Sequence, residues 1–130
     1  EGRFASNRDW GPFNDCVTTG PSKFKAYKAR PLNGIWATAP YLHNGSVPNL
    51  YQLLLPPAKR ETRFYTGTYQ FDVKHVGYLM DPSEENSFLF KATNDDGSVR
   101  WGNYNGVHDY GNAALKEEDR LDLVEYMKSL

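Results

Sequence analysis

Apolar and polar positions change their spacing several times along this chain, and each change marks a different kind of element. Residues 1–26 set Gly2, Gly11, Pro12, Gly20 and Pro21 among polar side chains with no sustained period of 2 or 3.6, which predicts an irregular arm. Pro31, Gly34 and Pro40 then exclude a long helix and force the backbone through turns. Ser46 offers a cap and Pro48 a first-turn proline for a helix. Its apolar stripe is Val47, Leu50, Tyr51 and Leu54, and Pro56–Pro57 stops it.

From Arg63 to Leu79 the pattern becomes strand-like. Phe64, Thr66, Thr68, Tyr69, Phe71, Val73 and Val76 are β-branched or aromatic and partly alternate around Gly67, which predicts a short hairpin or a pair of extended strands. Asp81–Pro82 breaks that pattern. Ser87 to Ala92 is a short apolar run of either type, and Asn94-Asp95-Asp96-Gly97 is a turn. Glycines and asparagines between Gly102 and Gly111 predict a flexible or sharply turning loop. A final helix starts near Lys116, with Glu117, Glu118 and Asp119 in the first turn where the helix dipole favours negative charge. Leu123, Val124, Met127 and Leu130 form its core-facing stripe, flanked by Leu121 and Tyr126.

Composition narrows the function classes. Fifteen basic against sixteen acidic side chains leave a formal charge of −1, which removes the footprint of a nucleic-acid binder. A length of 130 residues suits one domain or a fragment of one. No apolar run of about 20 residues is present to span a bilayer as a helix. One cysteine, Cys16, cannot form an internal disulfide. The absence of an initiator Met and the start at Glu1 in loop-like composition read as a piece of a longer polypeptide.

The densest concentration of candidate chemistry is residues 27–55, YKARPLNGIWATAPYLHNGSVPNLYQLLL, with an arginine, a tryptophan, a histidine and tyrosines around tight turns. The stretch ARPLNGIWATAPYLHNGSVP resembles the C-terminal haem domain of the dihaem cytochrome c peroxidase and rubber oxygenase (RoxA-like) group. GVHDYG followed by LKEEDRLDLVEYMKSL resembles the ligand loop and last helix of that family's cytochrome c fold. The resemblance implies a mainly α fold with much irregular structure. Its cytochrome c-like portion would be 27–130, carrying a small β-hairpin insertion, with 1–26 as the arm. One family element is missing from the sequence: no Cys-x-x-Cys-His is present, so haem c attachment would have to come from elsewhere. In the resembling proteins the attachment motif lies much further upstream of the Arg-Pro-Leu segment than Cys16 does, so the resemblance implies that Cys16 is a plain thiol and not its remnant.

On that resemblance His108, eight residues before Lys116, is the candidate metal ligand, the sixth ligand of a haem iron. A second His in place of Met generally lowers the haem potential. The plain alternative is a loop histidine hydrogen-bonded to Asp109. His43 in Tyr41-Leu42-His43-Asn44-Gly45 matches the family segment near the haem, which makes His43 and Tyr41 candidate cofactor-binding residues; alternatively His43 holds its turn by bonding backbone carbonyls. Arg30 offers paired donors to a haem propionate or to a neighbouring acid. Trp36 would stack on the macrocycle, carry electrons between haems, or simply fill the core. His75 reads as the exposed face of a strand, and Met80 and Met127 as core filling. Three scattered histidines lack zinc-site spacing, and neither a Gly-x-Ser-x-Gly elbow nor a phosphate loop is present. Asn44-Gly45-Ser46 is a formal glycosylation sequon whose serine is better used as a cap.

Two function classes follow. The first is part of a periplasmic or secreted c-type cytochrome oxidoreductase of peroxidase-like or dioxygenase-like type. Here the chain supplies the distal ligand and pocket wall of an electron-transfer haem. Its partners are the rest of a longer polypeptide or a haem-bearing chain, and a redox partner. The second is a haem-free descendant of the fold acting as a binding or assembly module, which the missing attachment motif favours. Carbohydrate binding through the many rings rests on composition alone. The stripe of the last helix would need a surface supplied by Phe24, Tyr27 or another chain.

Overall fold

The computed structural model describes residues 31–80 and 87–130. The predicted arm 1–26, Cys16, Phe24, Tyr27, Arg30 and the Asp81–Pro82 break lie outside the described residues. The unit Leu32–Leu130 carries the architecture. It contains helices α1 (Leu50–Leu53) and α2 (Glu117–Lys128) and strands β1 (Arg63–Thr66), β2 (Phe71–Asp72), β3 (Gly77–Tyr78) and β4 (Phe88–Lys91). Short 3-10 turns occupy Ile35–Ala37, Pro57–Lys59 and Asn112–Ala114.

A mainly α fold is therefore not what forms. Among the described residues α1 has four residues and α2 twelve, beside two small antiparallel sheets and long turn-rich connections. The reason is local. Val47, counted as the first residue of a helical stripe, instead bridges Tyr41 through paired backbone bonds of 2.7 and 3.3 Å. Pro48 has no N–H to give, and the helix begins only after Asn49. Asn49 is its cap in place of Ser46, with the side-chain oxygen accepting from the Gln52 N–H at 2.8 Å. The next free donors at the start of α1, Leu50 N–H and Tyr51 N–H, bond the carbonyls of Val76 and His75 at 3.0 and 3.2 Å.

Those carbonyls belong to the β2–β3 hairpin, so the expected hairpin is real but small. Val73 and His75 sit in its turn and not in a strand. β1 pairs instead with the distant β4, with Phe64 opposite Phe90 and their rings stacked at 5.0 Å. Such a cross-strand aromatic pair contributes about 0.5–1.5 kcal/mol beyond area burial. The turn at Asn94 to Gly97 forms as predicted, closed by a Gly97 N–H to Asn94 carbonyl bond of 3.0 Å. Gly77 crosses the cap of α1 so closely that a Cβ there would meet the Pro48 carbonyl oxygen at 2.3 Å.

The core gathers Tyr41, Val47, Leu50, Val76, Val124 and Met127. α2 buries Val124 and Met127 against the 41–50 segment and the hairpin of its own unit, while Phe24 and Tyr27, named as a surface for its stripe, lie outside the described residues. The buried side of α2 is Arg120, Val124 and Met127; Leu123 is turned outward and Leu130 packs at the edge. Lys116 precedes the helix, and the Asp119 carboxylate accepts its N–H at 3.2 Å.

Candidate functional site

Two of the sequence-selected histidines meet. Their ring centroids are 6.0 Å apart and perpendicular, at 82°, with the exposed His43 on the turn that follows Tyr41 and the half-buried His108 on the loop before α2. Each ring stands beside backbone that few side chains adopt: Leu42 has φ 65° and His108 itself φ 61°. Left-handed backbone at non-glycine residues needs surrounding structure to hold it; the Gly45 N–H bonds the Leu42 carbonyl at 3.2 Å, and at His108 the holding is done by side-chain donors.

Arg60 is the principal one. Its five N–H groups reach five backbone carbonyls: Nη1 donates to Asn105 and Val107, both at 2.7 Å, Nη2 to Leu53 and His108, both at 3.2 Å, and Nε to Leu55 at 3.3 Å. The residue is buried, which pushes its guanidinium pKa down, against the opposing charge of nearby Asp109. Three asparagines complete the clamp. Asn44 Nδ2 donates to the carbonyls of Gly102 and Tyr104 at 3.1 and 3.2 Å, and Asn105 Nδ2 to those of Ser46 and Glu61 at 3.3 and 2.7 Å. Asn112 Nδ2 reaches Leu53 and Leu55, both at 3.1 Å. Asn44 and Asn105 thus sew the 102–108 loop to the His43 turn. Arg60 and Asn112, with Arg120 on the Leu54 carbonyl at 3.2 Å, cap the last carbonyls of the α1 segment.

The His108 ring has a defined face. Its Nδ1 lies 3.3 Å from the Tyr110 hydroxyl. A hydrogen bond at one ring nitrogen is how proteins set a ligand histidine's tautomer. Asp109 does not pair with the ring; its carboxylate accepts from the N–H groups of Gly111 and Asn112 at 3.2 and 3.1 Å and starts the 3-10 turn.

The remaining candidates are placed elsewhere. Tyr41 points into the core, its hydroxyl donating to the Ile35 carbonyl at 2.9 Å, and burial pushes its pKa up to about 12. Trp36 is half-exposed and lines an open apolar cleft of about 370 Å³ with Phe71, Val73, Val76 and Lys128. His75 is not on a strand face. It is half-buried, its Nδ1 2.7 Å from the Asp72 carboxylate and its ring 4.9 Å from that of Tyr51. Burial raises the Asp72 carboxyl, but the amide and imidazole of His75 and the amide of Lys74 outweigh it and hold the group below its ordinary value. Met127 fills the core, as expected. Asn44 and Ser46 of the formal sequon are both committed to the fold, Asn44 by the bonds above and Ser46 by complete burial.

Sequence reasoning missed Arg60, Asn105, Asn112 and Tyr110. No pattern marks an arginine whose partners are carbonyls, and the asparagines of the 102–112 stretch read as signs of mobility when they are its fastenings. Among the described residues no group of three or more His, Cys, Asp or Glu gathers to hold a metal ion.

The turn of His43, helix α1, Arg60 and the first residues of β1 fall within one segment with a recognisable family. Residues 26–65 match the RoxA-like, cytochrome c-like family. His108 lies outside the matched segment. The chain is also 39% identical over 113 residues to the uncharacterized protein y4iJ of Sinorhizobium fredii, an alignment covering 81% of this chain and 18% of that protein. It is 52% identical over 59 residues to the uncharacterized protein y4iM of the same organism, covering 45% of this chain and 13% of that protein. The chain thus spans less than a fifth of the length of these curated relatives. No solved structure matches it. Residues 26–65 are thus similar to a cytochrome c-like domain, whose family's cofactor class is haem c.

Proposed function

We propose that His108 is the distal axial ligand of a haem used in electron transfer, and that the clamped 102–108 loop and the His43 turn form one wall of its pocket. The observation that carries this reading is the fixed His108 imidazole, with Nδ1 on Tyr110 and its loop held to α1 by the Arg60 fork. An axial ligand must keep its place through oxidation and reduction, and a loop fastened at His108's own carbonyl meets that need. His43, edge-on to His108, would line the same wall. When bound, the haem would supply one-electron chemistry. The chain's own residues orient the imidazole.

The attachment cysteines would be provided by the remainder of a longer polypeptide or by a haem-bearing partner chain, in the periplasm or outside the cell, with a redox partner to receive or deliver electrons. An oxidoreductase of peroxidase-like or dioxygenase-like type is the enzyme class this fits. A second reading is favoured by one observation, the missing Cys-x-x-Cys-His: a haem-free descendant of the fold that binds or assembles. The visible absorption spectrum of the intact polypeptide separates them. A Soret band with a haem c α-band supports the first, and a colourless protein the second.

A further inference from the structure

We propose that Asn33 is a site of spontaneous covalent modification, where the backbone nitrogen of Gly34 converts the asparagine into aspartate and isoaspartate while two chemically equivalent pairs are protected by the fold. This goes beyond the haem reading and does not rest on it. The sequence holds three Asn-Gly pairs, Asn33-Gly34, Asn44-Gly45 and Asn105-Gly106. Glycine has no Cβ to shield its nitrogen, so each pair has the composition for the reaction. The Gly nitrogen attacks the side-chain amide carbon, a C–N bond forms, and the amide nitrogen leaves as ammonia. Water then opens the cyclic imide at either carbonyl, giving aspartate or isoaspartate. No oxidant or metal enters the balance.

The structure separates the three pairs. Both ends of the Asn44 amide are held: Oδ1 accepts the Ser46 N–H at 3.2 Å, and Nδ2 donates to the carbonyls of Gly102 and Tyr104 at 3.1 and 3.2 Å. Attack requires that amide to turn, so local opening must come first. Asn105 is 2% exposed, its Nδ2 donates to the Ser46 and Glu61 carbonyls, and the Tyr104 hydroxyl would stand 2.1 Å from a Cβ added at Gly106. Asn33 is exposed instead. It stands second in the turn Leu32–Ile35, closed by an Ile35 N–H to Leu32 carbonyl bond of 2.9 Å, and nothing lies within 4 Å of where a Cβ on Gly34 would stand. The nucleophile is restrained by a 3.0 Å bond from the Gly34 N–H to the Leu130 carbonyl, just past the end of α2, where helices fray. Isoaspartate inserts an extra carbon into the backbone of this turn and adds a negative charge. The bond tying the end of α2 to Gly34 is thereby loosened.

The test is incubation of the 130-residue chain at mildly alkaline pH, folded and in denaturing urea, followed by peptide mapping with mass spectrometry. In urea all three pairs should convert. Relative to its own rate in urea, Asn33 in the folded chain should convert at least about tenfold faster than Asn44 or Asn105. N33Q should remove most of the more acidic species that accumulates. In the purified isoaspartate form the Gly34 amide should exchange with solvent faster than in fresh protein, while the amides of Leu50 and Tyr51 keep their rates. Equal relative rates at Asn33 and Asn44, conversion of Asn33 in urea only, an acidic species undiminished in N33Q, or an unchanged Gly34 amide overturns the proposal. Haem ligation in the intact polypeptide is scored separately and alters none of these outcomes.

Discussion

Arg60 donates to the backbone carbonyl of His108 at 3.2 Å while the same guanidinium holds the carbonyls of Leu53 and Leu55 at the end of α1. The loop that presents the candidate ligand is thereby fixed to the helix that anchors the core. Removing that cation leaves buried carbonyls without donors, each costing about 1–3 kcal/mol when unsatisfied.

Arg60→Ala should therefore destabilise the unit by about 3 kcal/mol or more, since at least Asn105 and Val107 lose their shortest donor. Arg60→Lys should recover only part of this, because a lysine cannot reproduce the planar fork. Denaturant midpoints measure the first effect. Amide exchange at residues 105–108 should accelerate in both variants more than at α2, and uniform acceleration across the chain would contradict a local clamp.

Gly77→Ala should cost about 1–3 kcal/mol or prevent folding, because its Cβ would stand 2.3 Å from the Pro48 carbonyl, a contact with backbone that cannot yield cheaply. Gly34→Ala is the comparison, since nothing lies near its added Cβ and only the positive φ is strained. Thermal unfolding of the two variants should rank Gly77→Ala well below Gly34→Ala. Equal losses would mean that the hairpin does not cross the α1 cap this closely.

Asp72 ties stability to pH. Its carboxyl is held below the ordinary value of 3.8 in the folded chain, so the stabilisation is fully present above 3.8 and disappears as pH falls through the lowered folded value. Asp72→Asn should flatten the acid limb of the stability curve and release the His75 ring from the hairpin turn. At the other extreme Tyr41, raised from 10.0 to about 12, contributes stability that is present below 10 and lost as pH rises through about 12. Its phenolate absorbance should appear late and together with unfolding.

Much of this was readable in the sequence where a local signal decides the structure. The acidic first turn and the Val124 and Met127 spacing place α2 within a residue of its observed start. The Pro56–Pro57 stop and the Asn94-Asp95-Asp96-Gly97 turn likewise depend only on neighbours. What could not be read was decided by distant partners. Val47 is claimed by Tyr41, Arg63–Thr66 by a strand more than twenty residues away, and Leu123 loses its core position because the helix rotates Arg120 inward to reach Leu54 and Leu115. His43 and His108 were each selected singly, but their meeting depends on Asn44 and Asn105, whose side chains looked like those of any polar loop.

The central claim is that His108 is the iron ligand, and the most direct measurement is the electron paramagnetic resonance spectrum of the ferric haem in the intact polypeptide or haem-bearing complex, with and without His108→Ala. Loss of a low-spin signal and its replacement by a high-spin one, with His43→Ala remaining low-spin, is the predicted result. A low-spin signal unchanged by His108→Ala would contradict the account, whatever the state of the clamp behind it.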